Sequence, residues 1–339
     1  MDTMIQRLRN HATIVLLTLT LSLTAFLGGA CGETTTPPDP TGGLRPVTVA
    51  FAYIPNVQFA PYYVAMSKGY YTEAGLEVDF RYMYENEAVQ MVSQGAADFG
   101  FLSGISVLLA RQNDMPVVTV ATITQKFPVV YFSKARYPLE SVDDLEGKIV
   151  GFPGRFGASY YGLLALLYAS DLDESNLELH EIGFNQVEMI LEDKVQVAHG
   201  YAMNEPVQLR SMGEEISVLR VADVYPLVSD GIITNEPFLL NHSETVRAFV
   251  QATLRGLQDT LANPDEAFEL SLEHIPEADM ANVELQRQVL EATLEYWKSD
   301  RLGYSDPAVW QATYTFLRDS QLLTKDQPLE ESFTNEFVE

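Results

Sequence analysis

Chemistry in this chain has few places to start. The segment Gly151-Phe152-Pro153-Gly154-Arg155-Phe156-Gly157-Ala158-Ser159-Tyr160-Tyr161 combines glycines with a serine and paired tyrosines between an expected strand and an expected helix. Free backbone N–H groups at such a junction hold an anion or a carbonyl oxygen. Its glycines also suit a plain tight turn, but Ser159, Tyr160 and Tyr161 favour ligand contact around Gly154. Asn204-Glu205-Pro206 follows another strand and sets an amide beside a carboxylate, and Asp230 stands near an expected chain crossing. Acidic groups there accept from N–H donors, although Glu205 equally suits a helix-start carboxylate that complements the dipole. Tyrosine and phenylalanine gather near strand ends, at Tyr53, Phe59, Tyr62, Tyr63, Tyr82, Tyr84, Tyr160, Tyr161 and Tyr201. Many must be core, yet a ring at a strand's carboxyl end offers a stacking face and a hydroxyl to a flat heteroaromatic ligand. Acidic clusters such as Glu85-Asn86-Glu87 and Glu330-Glu331 read as solvated faces.

Other chemistries lack their residues. His180, His199, His242 and His274 show no metal-ligand spacing, and His11 falls in the N-terminal signal, so no metal is expected. No GxSxG elbow, Walker loop or dinucleotide fingerprint occurs, so neither a cofactor nor an enzyme activity is expected. With 21 Lys and Arg against 47 Asp and Glu in 339 residues, the net charge is −26. That surface repels phosphate backbones and anionic lipid, which excludes nucleic acid as a partner. One cysteine rules out a disulfide framework.

The elements that must position these groups alternate. Strands are expected at 47–53, 76–82, 97–102 and 116–122, with helices at 59–68, 88–93 and 105–112 between them. The same grammar restarts after residue 147, with strands at 148–152, 177–182 and 195–201 and helices at 160–168, 186–192 and 204–212. From His242 the helical period dominates, beginning with one long helix over 244–260. The pattern is α/β, with two lobes each built on an open, mostly parallel sheet flanked by helices. Ligands in such sheets lie beyond the carboxyl ends of the strands, which makes the loops after Tyr53, Leu102, Thr122 and Phe152 the site-builders.

The N-terminus is a targeting device. Arg7 and Arg9 precede an apolar run over 12–27 that ends in Gly28-Gly29-Ala30-Cys31, the order of an export signal. Residues 1–30 are expected to be that signal and 31–45, rich in Thr, Pro and Gly, a solvated tether of up to about 40 Å. Two basic residues and one acidic residue fall within 1–30, so the remainder carries −27. The small residues before the lone cysteine resemble the lipobox of bacterial lipoproteins. That resemblance implies a lipid (palmitate) on Cys31 and attachment to the cell membrane facing outside the cytoplasm; Gly28 stands where the lipobox usually has Leu. An uncleaved anchor helix and simple secretion are the alternatives.

The body resembles the substrate-binding proteins of ABC transporters, in the group that includes alkanesulfonate, nitrate and thiamine-pyrimidine binders. The resemblance rests on YIPNVQFAPYYVA at 53–65, KGYY at 68–71 with EAGLEV at 73–78, DFG at 98–100, DLEGK at 144–148 and NEP at 204–206. It implies a periplasmic-binding-protein-like fold whose lobes close over a ligand in the cleft between them, and delivery to a membrane permease by a monomer. Lobe I is expected over 46–134 with 232–339, and lobe II over 135–231. Few basic residues stand near the expected cleft, so within the group the surplus of tyrosine points to a flat neutral vitamin, riboflavin, or its rival formylaminopyrimidine. Tyr53, Tyr160 and Tyr201 would then stack on the ligand, while Asn56, Ser103, Asn204, Glu205 and Asp230 hold its polar edge, with Phe59, Tyr62, Gly154, Ser159 and Tyr161 completing the site. A cytosolic relative makes thiamine pyrimidine from its own histidine and needs a cysteine-rich motif, which this chain lacks. An exported hydrolase working through Glu205 and Asp230, and a sensor passing closure to a receptor, are the rivals from other classes.

Overall fold

The computed structural model describes residues 43–276 and 282–338. The signal segment, Cys31 and the tether as far as residue 42 lie outside the described residues. Among those described, ten strands, numbered along the chain, form two five-stranded sheets. The first holds β1 (Arg45–Phe51), β2 (Leu76–Tyr82), β3 (Phe99–Ser103), β4 (Val117–Thr122) and β10 (Asp230–Asn235) in the order β2-β1-β3-β10-β4. The second holds β5 (Val129–Lys134), β6 (Ile149–Phe152), β7 (Glu178–Glu181), β8 (Val197–Tyr201) and β9 (Ile216–Arg220) in the order β7-β6-β8-β5-β9.

The two sheets are copies of one plan. In each, four strands run one way and a single strand, β10 in the first and β5 in the second, pairs antiparallel with both its neighbours. Those two are the first strands the chain makes on arriving from the other sheet. This corrects the expected boundary at 134, because residues 129–134 form an interior strand of the second sheet. The reason is burial. Five of the six β5 residues are buried, so the run Val-Val-Tyr-Phe-Ser-Lys shows no alternation to mark it as a separate element. By contrast β2 alternates between buried and accessible along its length and begins and ends where the pattern predicts. The return crossing also falls two residues before its expected place, since β10 starts at Asp230.

Packing around the first sheet is aromatic. Phe51 touches Phe59 at 4.4 Å between ring centres and Tyr62 edge-on at 4.9 Å, and stacks on Tyr82 at 5.5 Å. The long helix Ser243–Ala262 covers this sheet and lies against the helix Ala60–Ser67. Gly256 sets that approach, because a Cβ there would stand 2.1 Å from the Pro61 carbonyl oxygen and 2.9 Å from the Ala65 Cβ. Gly256→Val is expected to force the helices apart and cost about 3 kcal/mol. A thermal melt would show a fall of several degrees, and an unchanged midpoint would disprove the close contact.

Candidate functional site

Both sheets point the carboxyl ends of their parallel strands toward one cavity, and the loops there come from both lobes. From the first lobe come Ala52 and Tyr53 after β1, Tyr84 and Glu85 after β2, Ser103 ending β3, Thr124 after β4 and Asp230 opening β10. The second lobe supplies Phe156, Gly157, Ala158 and Ser159 after β6, Phe184 and Gln186 after β7, and Tyr201, Asn204 and Glu205 around the end of β8. A third contribution, Thr293 and Trp297, comes from the helix Val283–Trp297 in the C-terminal region, and sequence reasoning gave no signal for it.

Eight of the thirteen expected site residues line this cavity: Tyr53, Phe59, Ser103, Ser159, Tyr201, Asn204, Glu205 and Asp230. Five do not, each for a local reason. Asn56 turns its side chain back to accept from Gln58, at 3.0 Å from the backbone N–H and 3.0 Å from Nε2, and it is Gln58 that reaches the cavity. Tyr62 is a core ring beneath Phe51 and Phe101, its hydroxyl buried without a hydrogen-bond partner among the described residues. Gly154 makes room rather than contact, since a Cβ there would press on the Phe156 ring at 2.4 Å, and Phe156 is the lining residue. Tyr160 stacks on Phe152 and bonds to Glu174 and Arg155, and Tyr161 packs against the hydrophobic core. Helix geometry explains this pair, because residues following Ser159 on a helix leave on other faces.

Polar contacts tie the lobes across the cavity. Asn204 Nδ2 of the second lobe donates to the Tyr53 hydroxyl of the first at 2.8 Å, and Tyr53 in turn donates to Glu205 Oε1 at 3.4 Å. The Tyr201 hydroxyl donates to Asp230 Oδ2 at 3.0 Å. Glu205 also accepts the Tyr201 backbone N–H at 2.9 Å and Asn204 Nδ2 at 3.1 Å. Gly200 permits that fold-back, because a Cβ there would lie 2.5 Å from Glu205 Oε2. At the mouth, Tyr84 stacks on Phe184 at 5.0 Å and meets Phe156 edge-on at 5.7 Å, while Tyr53 meets Phe184 edge-on at 5.0 Å.

The cavity's electrostatics are acidic and governed by burial. Burial pushes Glu205 up to about 7, against the hydrogen bonds it accepts. Asp230 is likewise pushed up to about 7, by burial first and by the nearby Glu85 charge second. His199, also in the lining, is driven by burial down to about 3 and is neutral. Among the described residues no lysine or arginine lines the cavity. Glu85, expected on a solvated face, is instead part of the wall, because it accepts from Ser103, Ser106 and Ala158. Tyr84, one of the rings expected at strand ends, lines the cavity, whereas Phe184 and Trp297 carry no such signal in the sequence.

Among the described residues no group of three or more His, Cys, Asp or Glu is arranged to hold a metal ion, and no helix is long and apolar enough to cross a membrane. What remains is an apolar, ring-lined chamber with acceptors on one side. It can grip a flat ring system between aromatic faces and receive N–H and O–H donors from its edge.

A family model described as NMT1/THI5 like matches residues 56–267. Over 335 residues the chain is 49% identical to the riboflavin-binding protein RibY of Chloroflexus aurantiacus, covering 96% of this chain and 95% of that protein. It is 28% identical over 320 residues to the formylaminopyrimidine-binding protein of Halalkalibacterium halodurans, covering 92% and 96% respectively. Among solved structures, the periplasmic aliphatic sulphonate binding protein SsuA of Escherichia coli matches with a TM-score of 0.67 at 12% identity, covering 86% of this chain and 92% of that one. That likeness is one of fold, and the fold is the two-lobed binding-protein architecture expected from the sequence.

Proposed function

The chain belongs to the NMT1/THI5-like family, and from that premise we propose that it is the substrate-binding component of an ABC importer whose ligand is riboflavin. The observation that carries this reading is a cavity walled by Tyr53, Phe59, Tyr84, Phe156, Tyr201 and Trp297 with carboxylates and amides, a neutral His199 and, among the described residues, no lysine or arginine. A neutral, flat heteroaromatic with N–H and O–H donors fits such a wall. The relative named for riboflavin supports the choice over the one named for formylaminopyrimidine, at 49% against 28% identity. In this reading rings from both lobes sandwich the isoalloxazine, and Ser103, Asn204, Glu205 and Asp230 receive its polar edge and ribityl hydroxyls. Tyr160 and Asn56 have no such role, because both face away from the cavity.

Capture works by closure. The chain passes between the sheets before β5 and before β10, and bending at these two crossings would open the cleft. The ligand binds the closed arrangement better, and the closed form docks on the permease. The body acts as a monomer held outside the cytoplasm by lipid on Cys31, the tether setting its reach.

Residues 32–339 purified from cytoplasmic expression supply the test. A yellow protein, or saturable one-to-one quenching of riboflavin fluorescence, is expected, with the ligand recovered unchanged. A colourless protein that leaves the fluorescence untouched overturns riboflavin, and formylaminopyrimidine is titrated next. Recovery of a cleaved ligand would favour a hydrolase working through Glu205 and Asp230. Tryptophan emission gives a second readout. The chain has two tryptophans, Trp297 in the cavity wall and Trp310 stacked on Phe333 in the core. Riboflavin is expected to quench the emission, and Trp297→Phe to remove most of the saturable part; an undiminished signal would place the ligand elsewhere.

A further inference from the structure

Glu85 opens the helix Glu85–Ser93 just after β2, and its carboxylate stands between helix starts of both lobes. Oε1 accepts the Ser103 backbone N–H at 3.0 Å, the Ser103 hydroxyl at 2.5 Å and the Ser106 hydroxyl at 2.7 Å. Oε2 accepts the Ala158 backbone N–H at 3.0 Å. Ser103 is the N-cap of the helix Gly104–Arg111 in the first lobe, and Ala158 lies in the first turn of the helix Gly157–Tyr168 in the second. Free N–H groups and the dipole at such ends favour negative charge. The seat is also shaped. Gly157 has a φ of +69°, and a Cβ on it would stand 2.3 Å from Glu85 Oε2. Only a residue without a side chain both makes that turn and leaves space for the carboxylate.

Four donors from two lobes, and a gap where a Cβ would sit, make an oxyanion seat that the protein fills with its own side chain. We infer that Glu85 is a specificity-determining residue that sets this cleft against anionic ligands. Its carboxylate occupies the donors that would otherwise hold a phosphate or sulfonate. Its charge, in a wall with no lysine or arginine among the described residues, repels a second anion. Resting on the flavin reading, the inference is that the cleft takes riboflavin and rejects its phosphate ester, flavin mononucleotide.

The test compares wild-type protein with Glu85→Ala and Glu85→Gln. Each is titrated with riboflavin and with flavin mononucleotide by fluorescence quenching, and each is melted in sodium phosphate and in sodium chloride at equal ionic strength. Wild type is expected to bind riboflavin at least about tenfold more tightly than the phosphate ester and to gain nothing from phosphate. In Glu85→Ala that ratio is expected to fall about tenfold, with a phosphate-dependent rise in melting temperature. Glu85→Gln, which keeps the shape and loses the charge, guards against misfolding of the alanine variant and is expected to lower the ratio as well. Equal binding of both flavins by wild type overturns the inference, as does an unchanged ratio in the folded variants. If wild type binds neither flavin, the riboflavin reading fails, and the phosphate melts alone decide the role of Glu85: stabilisation confined to the variants supports it, and none in any protein overturns it.

Discussion

Glu205→Ala is expected to weaken riboflavin binding by up to about a hundredfold while both sheets stay folded. The carboxylate is buried and holds three donors, the Tyr201 backbone N–H, Asn204 Nδ2 and the Tyr53 hydroxyl. Two of these belong to the second lobe and one to the first, so its loss unties the cleft wall as well as removing a ligand acceptor. Leaving buried donors unpaired costs about 1–3 kcal/mol, and each 1.4 kcal/mol is tenfold in affinity. Glu205→Gln keeps an acceptor oxygen at the same reach and is expected to lose far less. Fluorescence titration of the three proteins separates the cases. Equal affinity in wild type and Glu205→Ala would remove this residue from the site.

The stability of the unliganded protein is expected to fall as pH rises from about 4 to about 7 by an amount that Asp230→Asn abolishes. Asp230 moves from an ordinary value near 3.8 to about 7, chiefly through burial. Between those two values the folded protein holds a proton that the unfolded chain has released, so raising the pH favours unfolding. The contribution is complete below about 4 and gone above about 7. Its size is on the order of 4 kcal/mol for a shift of this extent. Glu205 acts in the same direction over about 4.5 to 7. His199 opposes both, since an imidazole held neutral down to about 3 makes the folded state gain stability as pH rises to about 6.5. The informative quantity is therefore the difference between wild type and Asp230→Asn in urea melts from pH 4.5 to 8. A difference that stays constant over that range would show Asp230 to be an ordinary carboxylate. Asp144, Asp173 and Asp193, all held low by hydrogen bonds, titrate below the window and leave the comparison clean.

The parts of the fold that lie near one exposed face were legible in the chain. The strand Leu76–Tyr82 shows its alternation, and the helix Ser243–Ala262 its long amphipathic period, because one side of each meets water. The strands β5 and β10 are buried on both faces over nearly all their length, and a strand with no solvent face carries no alternation by which to mark where it begins. For that reason the sequence pattern points to a lobe boundary at 134, whereas the second sheet begins at Val129.

The amino-acid sequence by itself determined the α/β class, the doubled grammar, the strand ends on which ligand groups stand, and a cleft short of positive charge. Each is a local property, set by the order of residue types along a few turns or strands. Tertiary structure decided which of neighbouring candidates faces inward. Ser159 reaches the cavity and Tyr160 does not, since they leave one helix start on different sides. It also turned Glu85 from a surface acid into a bridge between lobes, by bringing Ser103 and Ala158, 18 and 73 residues away along the chain, to its two oxygens. And it delivered Thr293 and Trp297 from the C-terminal helices to a wall otherwise built before residue 231. Such long-range meetings depend on how whole elements pack, and no spacing within the chain encodes them.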